Sequence, residues 1–277
     1  MTPDRNGAVS PPVPAPELAA DGLLERPLSA RSVMASLLLG MHPARMRGAL
    51  LVRWCALFGI ASGTARVALH RMAARGELRV ADGMYELAGP LATRQRVQDW
   101  SLDPHLLTWD GRWRLAVVLV GARSAADRQA FRDAMRRLRL VELREGVWLR
   151  PDNLARPAGA VLDEGPVRWL TSRPDDDAVT LAGELWDLPG WSERGETLLA
   201  AAPEEPGDLV ASPPEWAAGV FSAAAATLRH LRTDPLLPAA LLPPGWPADR
   251  LRARYARYLS AIQRLVRSLG EAEPSGC

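Results

Sequence analysis

The chain has 277 residues, of which 34 are basic and 32 acidic, and its formal net charge is +2. An apolar fraction of 48% is enough for real hydrophobic cores and excludes a chain that is disordered throughout. Only two cysteines are present, which excludes a disulfide framework and a cysteine-rich metal cluster.

The N-terminal segment is rich in proline and lacks the apolar stretch of a signal peptide. We predict a disordered tail over residues 1–26. No apolar run elsewhere approaches the ~18 residues that a membrane helix needs. We therefore expect a cytoplasmic protein with no membrane partner.

Residues 27–100 are predicted to form a winged helix-turn-helix. Ser29 is placed to cap a first helix, and Gly59 to end a second one in a left-handed conformation. Ser62 is expected to cap a third helix, whose inward face consists of Ala65, Ala68, Leu69 and Met72. The pair Asp82–Gly83, between two short apolar segments, predicts the tight turn of a hairpin, which would be the wing.

The charge of this segment is strongly positive. Between residues 27 and 100 there are ten arginines and four acidic residues, a balance of +6. The predicted third helix turns Thr64, Arg66, Val67, His70 and Arg71 outward, as expected of a helix that enters the major groove of DNA. Arg31 and Arg47, which are expected on the two preceding helices, are candidates for phosphate contacts, and the wing residue Arg79 is a candidate for a contact in the neighbouring minor groove. The alternative is a solvated helix face in a dimerisation module.

Residues 101–175 are predicted to form a ferredoxin-like α+β domain. An apolar strand over Trp113–Val120 is followed by a helix that Ser124 can cap, then by a hairpin turning at Glu145–Gly146 and a last strand over Val167–Ser172. Residues 176–277 are predicted to form a mostly helical domain. The fold class is therefore α+β, with three domains after the tail.

Tryptophan is concentrated beyond the N-terminal domain, since nine of the ten lie at or after Trp100. Most are expected in cores, but an apolar ligand pocket with arginine anchors is possible in the middle domain. The candidates for binding an anionic effector are Arg112, Trp113, Arg114 and Arg168. The four histidines lie apart and no phosphate-binding loop is present, so we predict no catalytic residue, metal ligand or cofactor.

The order of segments resembles the PaaX family, repressors of phenylacetate degradation. The resemblance rests on SARSVMASLLLG, GIASGTARVALHRMAARGEL, DGRWRLAVVLV and GVWLRPDNL, and it extends over nearly the whole chain beyond the tail. It implies a homodimeric repressor of a double-stranded DNA operator, released by an aryl-acyl-CoA such as phenylacetyl-CoA. The family's recognition-helix positions correspond here to Ser62, Thr64, Arg66, His70 and Arg71.

Two other functions remain open at this point. The middle domain's predicted fold is similar to that of small CRISPR-associated, metal-dependent nucleases, which have an Asp near the end of their first strand. Here no carboxylate occurs between Leu115 and Ala126, which disfavours a nuclease. An acyl-CoA-processing enzyme and a protein-interaction module that has lost DNA binding are the remaining alternatives.

Overall fold

The structure is a computed structural model of the chain, and it describes residues 29–119, 124–155 and 167–271. The tail predicted over residues 1–26 lies outside this range. The described residues pack as two compact units. The first contains the residues up to Gln98, Arg194–Arg232 and the residues from Ala248 onward, and the second contains Asp99–Glu193 and Thr233–Pro247. The three-domain division at 27–100, 101–175 and 176–277 stays a prediction.

The first unit opens with three helices and a small sheet. The elements are α1 (Ala30–Leu39), β1 (Arg45–Arg47), α2 (Gly48–Ala56), α3 (Ser62–Ala74), β2 (Leu78–Ala81) and β3 (Met84–Leu87). The strands are antiparallel in the order β1-β3-β2. Three helices followed by a hairpin are the elements of a winged helix, which confirms the predicted fold class. Strand β1 was not predicted.

The ends of these elements largely follow the predicted signals. The Ser29 hydroxyl accepts a hydrogen bond from the Ser32 N–H, as a helix cap does. Gly59, the third residue after α2, has a φ of +68°, and both Asp82 and Gly83 have positive φ in the hairpin turn. The predicted cap at Ser62 is wrong: Ser62 is the first residue of α3, and the N-cap is Ala61, which makes no side-chain hydrogen bond.

The second unit is built on a four-stranded antiparallel sheet. After α4 (Gly89–Leu102), which begins in the first unit, come β4 (Trp113–Val118), α5 (Ala125–Arg137), β5 (Val141–Arg144), β6 (Val147–Pro151), β7 (Val167–Ser172) and α6 (Ala178–Leu185). The strand order is β5-β6-β4-β7. With α5 between β4 and β5, this is the strand order of a ferredoxin-like sheet, as predicted.

Three helices and one short 3-10 turn complete the chain. They are α7 (Leu188–Ala200), α8 (Pro214–Leu231), the 3-10 turn at Ala239–Leu241 and α9 (Ala248–Glu271). Helices α8 and α9 belong to the first unit, where they complete the core of the winged helix. The Trp54 ring of α2 packs edge-on against Phe221 of α8, with 5.5 Å between ring centres. The Gln263 side chain of α9 donates a hydrogen bond of 3.2 Å to the Gly40 carbonyl after α1.

Candidate nucleic-acid interface

Helix α3 has one buried face and one solvent face. Ala65, Leu69 and Met72 are buried and Ala68 is half-buried, so the predicted inward face is nearly complete. The solvent face carries the predicted contact residues, all of them exposed: Ser62, Thr64, Arg66, Val67, His70 and Arg71. The 3.6-residue period of the helix explains this separation. The prediction that these side chains turn outward is thus confirmed, while their contact with DNA stays a prediction.

The solvent face of α3 carries only positive charge. No acidic residue occurs between Ser62 and Gly76, whereas Arg66, Arg71 and Arg75 all lie within it and all are exposed. The N-terminal end adds to this field, because the free N–H groups of a first turn carry a partial positive charge. With Ala61 as N-cap, no side chain caps those groups. The end of α3 is therefore suited to an anion such as a phosphate.

A row of alternating charges crosses the wing hairpin and the neighbouring strand β1. Glu86 of β3 lies opposite Arg79 of β2 on one side and Arg45 of β1 on the other. The Arg79 Nη2 atom donates a hydrogen bond of 2.7 Å to the Glu86 Oε2 atom. This bond, together with the charges of Arg79 and then Arg45, lowers the pKa of Glu86. Two arginines around one glutamate leave this face of the wing with net positive charge.

The other predicted phosphate contacts lie in different surroundings from those expected. Arg31 forms a bidentate pair with Glu77, with bonds of 2.9 Å from Nε to Oε2 and from Nη2 to Oε1, so two of its donor nitrogens are already engaged. Arg47 is exposed but ends strand β1, directly before α2, and does not lie on a helix as predicted. Together with Arg45 and Arg267 it lines an open groove beside the wing.

The four predicted effector residues are not brought together. Trp113 is fully buried in the core beneath the sheet, where its ring lies 6.2 Å from that of Trp186. Arg114 points to the opposite face and covers the Trp169 ring at 5.0 Å. Arg168 is exposed and lies opposite Val117 in the sheet, so it is on the same face as Trp113. Arg112 is also exposed, and its Nε atom forms an ion pair of 2.6 Å with the Asp110 carboxylate. Alternate positions of a strand point to opposite faces, so Arg114 faces away from Trp113 and Arg168, and Arg112 lies just before the strand.

The described residues contain neither a metal-binding cluster nor a helix that could cross a membrane. In residues 29–119, 124–155 and 167–271 we find no group of three or more His, Cys, Asp or Glu side chains that could hold a metal ion. Within the same ranges, none of the helices combines the length and the apolar composition that crossing a membrane requires.

Comparison with known proteins gives matches to two family models and to a solved structure. A family model described as PaaX-like protein matches residues 29–90, and a second, the PaaX protein central Cas2-like domain, matches residues 107–171. An uncharacterized protein from Mycobacterium tuberculosis with a solved structure is 42% identical, with a TM-score of 0.68 and coverage of 87% of this chain and 99% of that one. The chain belongs to the PaaX family. No curated protein matches it.

The two PaaX matches correspond to structural parts described above. The match over residues 29–90 includes all of α1 to β3, and hence the exposed face of α3 and the wing. The match over residues 107–171 covers the ferredoxin-like sheet up to the last residues of β7. The resemblance inferred from the sequence motifs is confirmed, and the chain is a PaaX-like regulator.

Proposed function

We propose that this PaaX-like regulator is a cytoplasmic, sequence-specific repressor that binds a double-stranded DNA operator as a homodimer. The observation that carries the proposal is the solvent face of α3, which is exposed and whose charged side chains are all arginines. A protein helix of this kind fits the major groove of B-DNA, and a positive field attracts the phosphates on either side of the groove.

In this proposal α3 makes the base contacts. Arg66 lies in the N-terminal half of α3, the part of a recognition helix that meets base edges. A bidentate pair between its guanidinium and a guanine contributes about 1–3 kcal/mol of discrimination. Thr64, His70 and Arg71 reach neighbouring bases or phosphates, and the first turn of α3, including Ser62, holds a phosphate.

The wing and the groove beside it make the backbone contacts. Arg79 follows the neighbouring minor groove, and Arg45 and Arg47 of β1 bind phosphates. Two copies related by a two-fold axis place two α3 helices in successive major grooves of a palindromic operator.

An aryl-acyl-CoA such as phenylacetyl-CoA is the proposed releasing effector. It favours a state of the dimer in which the two α3 helices no longer match successive grooves. Coupling of about 1–3 kcal/mol between the two sites is enough to change operator affinity by roughly 5–150-fold.

The test is the binding of the full chain to the DNA upstream of its own gene, followed by fluorescence anisotropy over a salt series. We expect specific binding that weakens steeply with salt, because bound arginines release counterions from the phosphates. Phenylacetyl-CoA is expected to release the protein. Binding without release would remove this effector from the proposal, and no preference over a scrambled duplex would remove the repressor.

Two variants test whether α3 makes the base contacts with the operator. Arg66→Ala is expected to lose about 1–3 kcal/mol of discrimination against a duplex with the guanine replaced. Arg136→Ala makes the same change of charge on an exposed side chain of α5 in the other unit. It is expected to leave operator affinity unchanged, and an equal loss in both variants would contradict a role for α3 in base contacts.

A further inference from the structure

The open groove beside the wing is lined by β1, the start of α2 and the last turns of α9, all of which belong to the first unit. Its volume is about 620 Å³. Three exposed arginines line it: Arg45, Arg47 and Arg267. Most of the other lining residues are apolar, among them Met41, Met46, Leu50, Met84 and Val266. No acidic side chain is among the described residues that line the groove.

Helix α9 is packed against the winged helix where it lines the groove. The Gln263 amide donates a hydrogen bond of 3.2 Å to the Gly40 carbonyl after α1. A Cβ atom at Gly270 would lie 3.7 Å from the Leu50 Cδ2 atom of α2, which is an ordinary contact distance. Positions 263, 266 and 270 share one face of a helix, because its period is 3.6 residues. Arg267 lies beside this face, so α9 holds it at a fixed place along the groove.

Nearby carboxylates leave the charge of the groove largely uncompensated. Arg45 lies opposite Glu86 in the sheet, but the Glu86 carboxylate already accepts a hydrogen bond from Arg79. Within the part of the chain that the structure describes, the guanidinium groups of Arg47 and Arg267 form no hydrogen bond or ion pair. Both side chains are exposed, so both are able to bind an anion that enters the groove.

The groove adjoins the wing on the face for which a DNA contact is proposed. Arg45 and Arg47 are two residues apart in β1, so their side chains point to the same face of the small sheet. Arg79 belongs to the same cross-strand row as Arg45 and shares that face. The Gly48 N–H, directly after β1, donates a hydrogen bond of 3.1 Å to the Gly83 carbonyl in the turn of the wing. The positive surface of the wing is therefore continuous with the groove.

We propose that this groove holds the sugar–phosphate backbone of bound duplex DNA, so that helix α9 is part of the DNA interface. Arg267 binds one phosphate and Arg47 a neighbouring one, while the deoxyribose packs on the apolar lining. The complementarity is one of charge, because duplex DNA carries one negative charge per about 1.7 Å of its axis. A small ligand would need a cleft that buries about 70–90% of its surface, whereas a backbone lies along an open groove.

This contact rests on the proposed function, because it requires that the chain binds DNA. It adds a part of the interface that lies outside the winged-helix segment of the sequence. Phosphate contacts fix the position of a protein on the duplex but do not read its sequence. Arg267 is therefore expected to contribute affinity and salt dependence equally on every duplex, unlike Arg66.

A salt series with Arg267→Ala is the first test. Fluorescence anisotropy of the full chain is followed on the operator and on a scrambled duplex. We expect the variant to bind both duplexes several-fold more weakly at low salt, and the slope of log affinity against log salt to fall by about 1. One phosphate contact contributes about 0.9 to this slope, so raising salt from about 50 to about 200 mM should narrow the gap between wild type and variant roughly threefold. Arg267→Lys keeps the charge and is expected to recover most of the slope.

Arg264→Ala is the matched control. Arg264 is exposed on the same helix but is not among the residues that line the groove, and its replacement removes the same charge. We expect this variant to keep the wild-type slope. Equal losses in Arg264→Ala and Arg267→Ala would show a general effect of charge and would overturn the groove contact.

A change in the DNA tests the same contact without altering the fold of the protein. Single phosphates of the operator are replaced, one duplex at a time, by uncharged methylphosphonate groups. At one or two positions we expect the replacement to weaken the wild type several-fold and to weaken Arg267→Ala no further, because the variant has already lost that contact. Additive losses at every phosphate would overturn the proposal.

Comparison with Arg66→Ala separates this contact from the proposed function. If Arg66→Ala loses base discrimination while Arg267→Ala keeps the full salt slope, the repressor stands and the groove contact is wrong. If Arg267→Ala lowers the slope while Arg66→Ala keeps its discrimination, the groove contact stands and base contact by α3 fails. Failure of the wild type to bind any duplex would overturn both.

Discussion

Arg31 and Glu77 join the first turn of α1 to the start of the wing. The pair is bidentate, and the Glu77 side chain is only 13% exposed while that of Arg31 is 44% exposed. Glu77 lies between α3 and β2, and its carbonyl also accepts a hydrogen bond from the Ala88 N–H after β3. One residue thus connects the first helix to both ends of the hairpin.

A double-mutant cycle measures this connection. Arg31→Ala and Glu77→Gln are each expected to lower the free energy of unfolding by about 0.5–1 kcal/mol, since one partner remains half exposed. The double variant is expected to lose little more than either single one, as measured by urea denaturation. Additive losses would show that the two side chains act separately.

The same variants test whether Arg31 also binds DNA. A phosphate contact would lower the slope of log affinity against log salt by about 1 in Arg31→Ala. We expect no change of slope, because Glu77 already engages two of its donor nitrogens, and we expect Glu77→Gln to behave in the same way.

A glycine sets how closely the wing approaches α2. A Cβ atom at Gly48 would lie 2.7 Å from the Tyr85 Cε2 atom, whereas one at Gly63 of α3 would meet nothing within 4 Å. Gly48→Ala is expected to lower the free energy of unfolding by about 1–3 kcal/mol through overpacking. Gly63→Ala is the control and is expected to stabilise the helix by about 0.5–1 kcal/mol. Equal effects in thermal unfolding would contradict the close contact with Tyr85.

The charged row of the wing predicts a pH dependence in acid. Arg79 holds the pKa of the Glu86 carboxyl below its usual value. The stabilisation is therefore fully present above the unfolded pKa of about 4.3 and is lost as pH falls through the lower folded value. NMR titration of the Glu86 side chain is expected to show the lowered pKa, and Arg79→Ala to raise it. An unchanged pKa in Arg79→Ala would contradict the pair, while Arg136→Ala, in the second unit, serves as control.

Cys55 predicts a loss of stability in alkali. It is fully buried in α2, and burial raises the pKa of its thiol to about 11. A raised thiol pKa means that stability is complete below the unfolded pKa of about 8.5 and falls as pH rises toward 11. We expect a loss of about 1–2 kcal/mol between pH 8 and 10.

The measurement is urea denaturation across that pH range in a Cys277→Ser background. Cys55→Ala is expected to flatten the slope, and the native thiol to react with a disulfide reagent only as the protein unfolds. Rapid reaction of the folded protein at pH 8 would contradict the burial.

Sequence patterns were sufficient to predict those parts of the winged helix that depend only on neighbouring residues. The inward face of α3 and the Asp82–Gly83 turn follow from helical period and from tight-turn preference. Strand β1 was missed because Arg45–Arg47 is too short and too charged to show a strand pattern, and it exists only by pairing with β3. Helix α4 was missed because it buries polar residues, including Gln98 and Ser101.

The candidate sites were predictable only in part, because local patterns do not show which distant segments pack together. The exposed face of α3 lies within one helix, so its period alone separates the outward from the inward residues. Arg114 and Arg168 lie on adjacent strands, but which face each side chain takes depends on a strand register that sequence alone does not supply.

The hydrogen bond between Gln263 and Gly40 spans 223 residues of chain. Helices α8 and α9, which cover α1 and α2, are thus synthesised after the entire ferredoxin-like sheet. When the chain has been synthesised only as far as the wing, Trp54 is still exposed, because its partner Phe221 has not yet been made. Non-local closure of this kind is slow, and exposed apolar surface recruits chaperones. The regulator therefore acquires the complete core of its winged helix only after α9 has been synthesised.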